Sequence, residues 1–200
     1  MSGARLYALL SPLYVIIKDM DNQPLGHRTS QNEQLGIRAK IATPEDWQSY
    51  KNMRIAAITG EDKEMFGVDS DPLRVEEEKK RLDTDWQNDL SADKIDQFVV
   101  LAWVGSEAIG IVRVKERPEK GIWYLTSGYS KKDSRGKVFP PKVFTEIVNE
   151  VRKRGGSKVL MGVKAKNQTM IRLATLLGFR KVETEPDAPG FYMELDINKK

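Results

Sequence analysis

The chain contains no cysteine and a single histidine, His27, in 200 residues. Without cysteine there is no disulfide, no thiolate nucleophile, no iron–sulfur ligand set and no Cys-based zinc site. A Ser-His-Asp relay or a histidine-rich metal centre would rest on His27 alone, which lies in a stretch, 21–36, that reads as loop. Any catalysis is therefore expected from other groups, with no metal. Long apolar runs are equally scarce. The run 6–17 is too short to cross a bilayer and is interrupted by Ser11 and Pro12. It resembles the apolar part of a secretory leader behind Arg5, but Lys18, Asp19 and Asp21 stand where small cleavage-site residues belong. Cytoplasmic residence with no membrane partner is the expectation.

What is present fits one globular domain with an appendage. Apolar residues make up 40% and charged residues 31% of the chain, ordinary values for a packed domain of this length. Residues 1–36 read as an N-terminal arm and linker, with Pro24, Gly26 and a polar run over 28–34, and residues 37–200 as the domain. The apolar arm, 4–20, is expected to pack on the domain or on a protein partner. The net charge of +4 conceals an asymmetry. Between Lys131 and Lys181 there are 14 Lys or Arg against Asp133, Glu146 and Glu150, a local charge of +11 that leaves −7 for the rest. A contiguous basic quarter favours a polyanionic partner, such as a phosphorylated cofactor, nucleic acid or an acidic protein surface.

The order of elements limits the fold. Residues 37–41 alternate with period two and read as a strand. Thr43, Pro44 and Asp46 then make a helix start, and Gly60 a stop. Asp71 and Pro72 open a second helix, with Val75, Leu82, Trp86 and Leu90 along one stripe. Residues 98–104 and 108–115 are apolar, β-branched runs on either side of Gly105-Ser106, a hairpin pattern, and 122–129 is a third strand of the same kind. A basic loop over 130–139 leads through Pro140-Pro141 into a helix whose apolar face is Val143, Phe144, Ile147, Val148 and Val151, ended by Gly155-Gly156. Residues 159–163 form a short buried strand. Asn167 caps a helix carrying Ile171, Leu173, Ala174 and Leu177, and 179–184 and 191–197 close the chain as strands. This order predicts an α/β (α+β) domain on a mixed sheet. Its central strand, basic loop and helix suit phosphate binding, because amides at a helix start and nearby Lys and Arg can face one anion.

Two segments carry a family resemblance: Arg135-Gly-Lys-Val-Phe-Pro, and Asn167-Gln-Thr-Met-Ile-Arg-Leu-Ala-Thr-Leu-Leu-Gly-Phe179. With the element order, they make residues 37–197 resemble the GNAT superfamily of acyl-CoA N-acyltransferases. The resemblance implies a mixed, mostly antiparallel sheet of six to seven strands, flanked by about four helices, with splayed central strands. It implies acetyl-CoA or another acyl-CoA as co-substrate and direct transfer to an amine of a small molecule or protein. The pantetheine arm would lie on Thr126, Ser127, Gly128, Tyr129 and Ser130. The pyrophosphate would lie on Arg135, Gly136, Lys137 and Val138, with Lys132 adding charge, and Asn167 ends the neighbouring strand. Family members often dimerise, so a homodimer is implied too.

The working parts depart from that pattern. The family's loop usually reads Arg/Gln-x-x-Gly-x-Gly/Ala, and here Val138 and Pro140 fill the two glycine positions; proline also lacks an amide donor. The tyrosine that protonates the departing thiolate in many members falls at Ala174, and residues 122–129 contain no Glu to act as base. Tyr124 and Tyr129 are the candidate acids that remain, and Asp133, Glu116 and Glu119 are candidates to draw the amine proton through water. Around 123–127 and 171–174 the chain is also similar to phage-encoded GNAT-like proteins, including internal virion proteins. That likeness supplies the alternative expectation: an inactive, virion-associated or interaction module binding a protein or nucleic acid.

Overall fold

A computed structural model describes residues 36–60, 72–134, 139–182 and 190–198. The expected arm and linker up to residue 35 lie outside the described residues. Strands β1 (Ile37–Ile41), β2 (Gln97–Val104), β3 (Glu107–Glu116), β4 (Ile122–Ser130), β5 (Lys158–Lys164), β6 (Arg180–Val182) and β7 (Gly190–Asp196) form one seven-stranded sheet in the order β1-β2-β3-β4-β5-β7-β6. Neighbours run antiparallel except β4 and β5, which are parallel. The expected mixed, mostly antiparallel sheet is thus present.

Helices α1 (Trp47–Thr59), α2 (Pro72–Thr84), α3 (Trp86–Leu90), α4 (Phe139–Lys153) and α5 (Gln168–Leu176) flank the sheet. The single helix expected after Pro72 is two. Asp85 leaves helical geometry at φ −112° and ψ 7°, and Trp86 stacks on Trp47 of α1 with ring centroids 5.2 Å apart. Before α1, Pro44–Asp46 form a 3-10 turn, and the Thr43 amide donates to the Asp46 carboxylate at 3.0 Å. The hydroxyl-proline-acid start is therefore real, one turn ahead of the α-helix proper.

The two sheet faces bury different helices. On one, Val100, Ala102, Val112, Val114, Trp123, Val159 and Met161 pack under Val143, Phe144, Ile147 and Val151 of α4 and Ala174 of α5. On the other, Val99, Leu101, Trp103 and Ile111 pack under Tyr50 and Met53 of α1, Leu82 of α2 and Leu90 of α3. Strand β2 is covered on both sides, so its sequence is a continuous apolar run rather than an alternating one. Burying each large apolar side chain contributes about 1.5–3 kcal/mol.

The end of α4 is locked to the start of β2 by Arg154, which donates to the carbonyls of Lys94 at 2.8 Å and Gln97 at 3.1 Å. Its guanidinium also lies over the Phe98 and Trp123 rings, 4.9 Å and 5.7 Å from their centroids. The turn that follows is a close approach. A Cβ on Gly156 would stand 2.6 Å from the Trp123 indole.

Candidate active site

Strands β4 and β5 pair over only four residues each, from Ile122 opposite Lys158 to Leu125 opposite Met161. Beyond that point they separate. β5 continues against β7, from Gly162 opposite Tyr192 to Lys164 opposite Gly190, while β4 continues against β3 to Ser130 opposite Gly110. The separation coincides with a bulge. Arg113 of β3 faces Ser127 and Val114 faces Leu125, so Thr126 is an extra residue, and its hydroxyl donates to the Arg113 carbonyl at 3.3 Å.

The bulge decides which groups face the gap. Lys131 donates its amide to the Ile109 carbonyl, so Tyr129 and Ser127 turn their backbone groups toward β3, and the alternation turns those of Gly128 toward the side that β5 has left. A Cβ on Gly128 would meet nothing within 4 Å among the described residues, so the sheet face is open at this position as well. Thr126, Ser127, Gly128, Tyr129 and Ser130, the residues expected to carry an extended ligand arm, therefore form one side of a gap in the sheet. Lys132 follows in the exposed 3-10 turn Lys132–Ser134. Arg135, Gly136, Lys137 and Val138, expected to hold phosphates, lie outside the described residues, as do 61–71 and 183–189. Asn167 accepts the Met170 amide at 3.1 Å, the capping contact of α5.

The bulge also sets the positions of the two tyrosines. Trp123 and Leu125 point to the α4 face, so Tyr124 points to the other. Strict alternation would put Tyr129 with Trp123, but the extra residue moves it to the face of Tyr124, where it packs against the cluster of Tyr50 and Ile111. Tyr124 lies edge-on to Tyr192, 5.9 Å between centroids. Its hydroxyl stands over Gly162, where an added Cβ would come within 2.7 Å, at the point where the strands separate. Burial and the neighbouring Tyr192 push its phenol up, against the opposing pull of the Gly162 amide and Arg117, so it stays protonated at neutral pH.

The expected acids lie elsewhere. Glu116, at the end of β3, accepts the Gly121 amide at 2.9 Å, and Glu119, in the turn before β4, pairs with Arg117 at 3.5 Å. That turn precedes Ile122, and the five residues from there to Ser127 span about 17 Å of strand. Asp133 is exposed beyond the other end of β4. Ala174 is fully buried in the core under the α4 face, and among the described residues no group of three or more His, Cys, Asp or Glu could hold a metal.

Sequence reasoning missed a charged cluster on the Tyr124 face. Tyr50 of α1 donates to Asp89 of α3, and Arg81 of α2 reaches the same carboxylate at 3.0 Å. Arg81 also holds Glu78 through two hydrogen bonds, of 2.8 Å and 3.0 Å, and Glu78 takes Arg54 of α1 at 2.6 Å. Arg113 of β3 approaches Asp89 at 3.5 Å. Burial and the Asp89 charge push the Tyr50 phenol up to about 12. The available signals were polar residues inside apolar patterns: Asp89 beside Leu90, and Arg113 between Val112 and Val114.

No family model and no curated protein sequence matches the chain. Solved structures do. A GNAT-family acetyltransferase from Streptococcus pneumoniae is 17% identical, with a TM-score of 0.59 over 81% of this chain and 99% of that one. The PaiA N-acetyltransferase of Thermoplasma acidophilum, solved with coenzyme A, is 18% identical, with a TM-score of 0.58 over 80% and 98%. The protein yncA of Salmonella typhimurium, solved with its cofactor acetyl-CoA, is 15% identical, with a TM-score of 0.58 over 82% and 95%. The domain thus has the GNAT fold, with the seven-stranded, mostly antiparallel sheet parted between β4 and β5. Among the described residues no helix is long and apolar enough to cross a membrane.

Proposed function

We propose that the protein is an acyl-CoA-dependent N-acyltransferase that passes an acyl group, acetyl in its simplest form, directly to an amine. The observation that carries this reading is the gap between β4 and β5, bordered by the backbone of Gly128 and opening at the Thr126 bulge. An extended donor with amides of its own fits there as a partial strand, as an added strand fits an open sheet edge. The phosphates of such a donor suit the basic sequence that precedes α4, in which Lys132, Arg135 and Lys137 occur. Two proteins of similar fold were solved with acetyl-CoA or coenzyme A, which supports the same class of donor here.

The chemistry needs no thiol and no metal from the protein. The neutral amine nitrogen attacks the thioester carbonyl carbon, a C–N bond forms, and the C–S bond breaks. Tyr124, protonated and standing where the strands separate, is the group we assign to give its proton to the departing thiolate. The amine's proton leaves to water.

Isothermal titration with acetyl-CoA tests the reading, followed by thiol release in the presence of amines. A saturable heat and amine-dependent release of CoA are expected. Absence of heat at millimolar ligand overturns it. The burial of Ala174 where many GNAT enzymes carry a tyrosine favours a second reading, a binding module on the same fold. Salt-sensitive binding of DNA or RNA without acetyl-CoA binding would support that one.

A further inference from the structure

The charged cluster beside β4 has one more guanidinium than it has carboxylates among the described residues. Arg54, Arg81 and Arg113 face Glu78 and Asp89, and the two acids are already shared between Arg54, Arg81 and the Tyr50 hydroxyl. Among the described residues, Arg54 and Arg81 hydrogen-bond these acids and Arg113 does not. Among the described residues its guanidinium meets one charged group, Asp89 at 3.5 Å, and its buried Nε has no hydrogen-bond partner. Arginine carries five donors in a fixed fork and cannot shed its charge, so a sheet arginine held this loosely is suited to a bidentate anion. Its side chain is 22% exposed, so the arginine is not sealed in the core.

Placement ties Arg113 to the reaction site. Its cross-strand partner is Ser127, and its carbonyl receives the Thr126 hydroxyl, so it stands at the bulge where the gap begins. Val112 and Val114 pack under α4, so the Arg113 side chain points to the opposite face, the face of Tyr124. Lys115, two residues on, shares that face and is exposed. In the proposed reaction the donor's phosphates take the α4 side, which leaves the Arg113 face to the acceptor. We infer that the acceptor amine carries an anionic group, a carboxylate in its simplest form, and that Arg113 receives it. This rests on the acyltransferase reading and adds a substrate class to it.

The test compares amines that differ only by the anion: glycine with methylamine, L-phenylalanine with phenethylamine, and phosphoethanolamine with ethanolamine. Thiol release is measured with wild type, Arg113→Gln and Arg113→Lys, each checked for folding by circular dichroism. Dividing the anionic-to-neutral kcat/KM ratio of wild type by that of the variant cancels the different basicities of the amines. We expect Arg113→Gln to lower the anionic-to-neutral kcat/KM ratio at least ten-fold below that of wild type, mainly through KM for the anionic amine, with KM for acetyl-CoA within two-fold and partial recovery in Arg113→Lys. The pair that shows the larger drop identifies carboxylate or phosphate as the anion. An unchanged ratio overturns the inference, as does acetyl-CoA binding with no turnover of any anionic amine. Absence of acetyl-CoA binding overturns the acyltransferase reading itself, and this inference with it.

Discussion

Tyr124 reaches from β4 across to β5 and sets its hydroxyl over Gly162, one residue beyond the last rung that joins the two strands. In the proposed reaction this phenol supplies the thiolate's proton. Tyr124→Phe should therefore lower kcat by about 100-fold, the scale of a positioned general acid, with KM for acetyl-CoA unchanged. Gly162→Ala, whose Cβ would crowd the same hydroxyl, should reproduce part of the loss. Tyr129→Phe should stay near wild type. Steady-state thiol release measures all three, and a wild-type rate in Tyr124→Phe would remove the role.

Acid should loosen the helical layer over β3. Burial pushes the Glu78 carboxyl up, but the Arg81 and Arg54 guanidiniums outweigh it and hold the group at about 2, against an ordinary 4.5. A carboxyl depressed in the fold contributes stability that is present above its unfolded value and lost as pH falls through its folded one. The loss attributable to Glu78 thus falls between pH 4.5 and about 2. Glu78→Gln should lower the urea midpoint at pH 7 and flatten its decline across that window. Urea titrations at pH 7, 4 and 3 give the comparison, and parallel curves for the two proteins would refute it.

Placing a tyrosine at 174 should not repair the missing family group. Ala174 is fully buried against the core, and its carbonyl accepts the Phe179 amide at 2.9 Å, so a phenol there overpacks the α5 contact. Ala174→Tyr should destabilise by about 1–3 kcal/mol without raising kcat. Asn167→Ala, which removes the α5 cap, should cost about 1 kcal/mol. Urea unfolding and thiol release separate the two effects, and a faster Ala174→Tyr enzyme would contradict the packing argument.

Much of this fold was legible in local pattern, because the pattern records burial. The unbroken apolar run of β2 reflects a strand covered on both faces, and Val143, Phe144, Ile147 and Val151 mark the buried stripe of α4. The Asn167 cap and the glycine stops lie where their side chains, or lack of them, require. Long-range partners were not legible. The position of β7 between β5 and β6 depends on pairings across the whole C-terminal region. The break at Asp85 follows from Trp86 meeting Trp47, far away in sequence. The one extra residue at Thr126 carries no signature in its own letters, yet it moves Tyr129 to the opposite face. Arg113 and Asp89 stand out as polar residues in apolar surroundings, but their pairing shows only once four elements bring the charged cluster together.

The sheet is in effect two blades, β1 to β4 and β5 with β7 and β6, sharing a hinge of four parallel rungs. Parallel pairing is slightly weaker per residue than antiparallel pairing, and this is its single occurrence in the sheet. Amides just past that hinge, such as that of Gly128, which no strand among the described residues receives, should exchange with deuterated water sooner than those of the buried rungs at Trp123 and Val159. A molecule lodged between the blades adds the missing rungs, so occupancy should be recorded as slowed exchange on both blades at once, far from any atom that changes in the reaction.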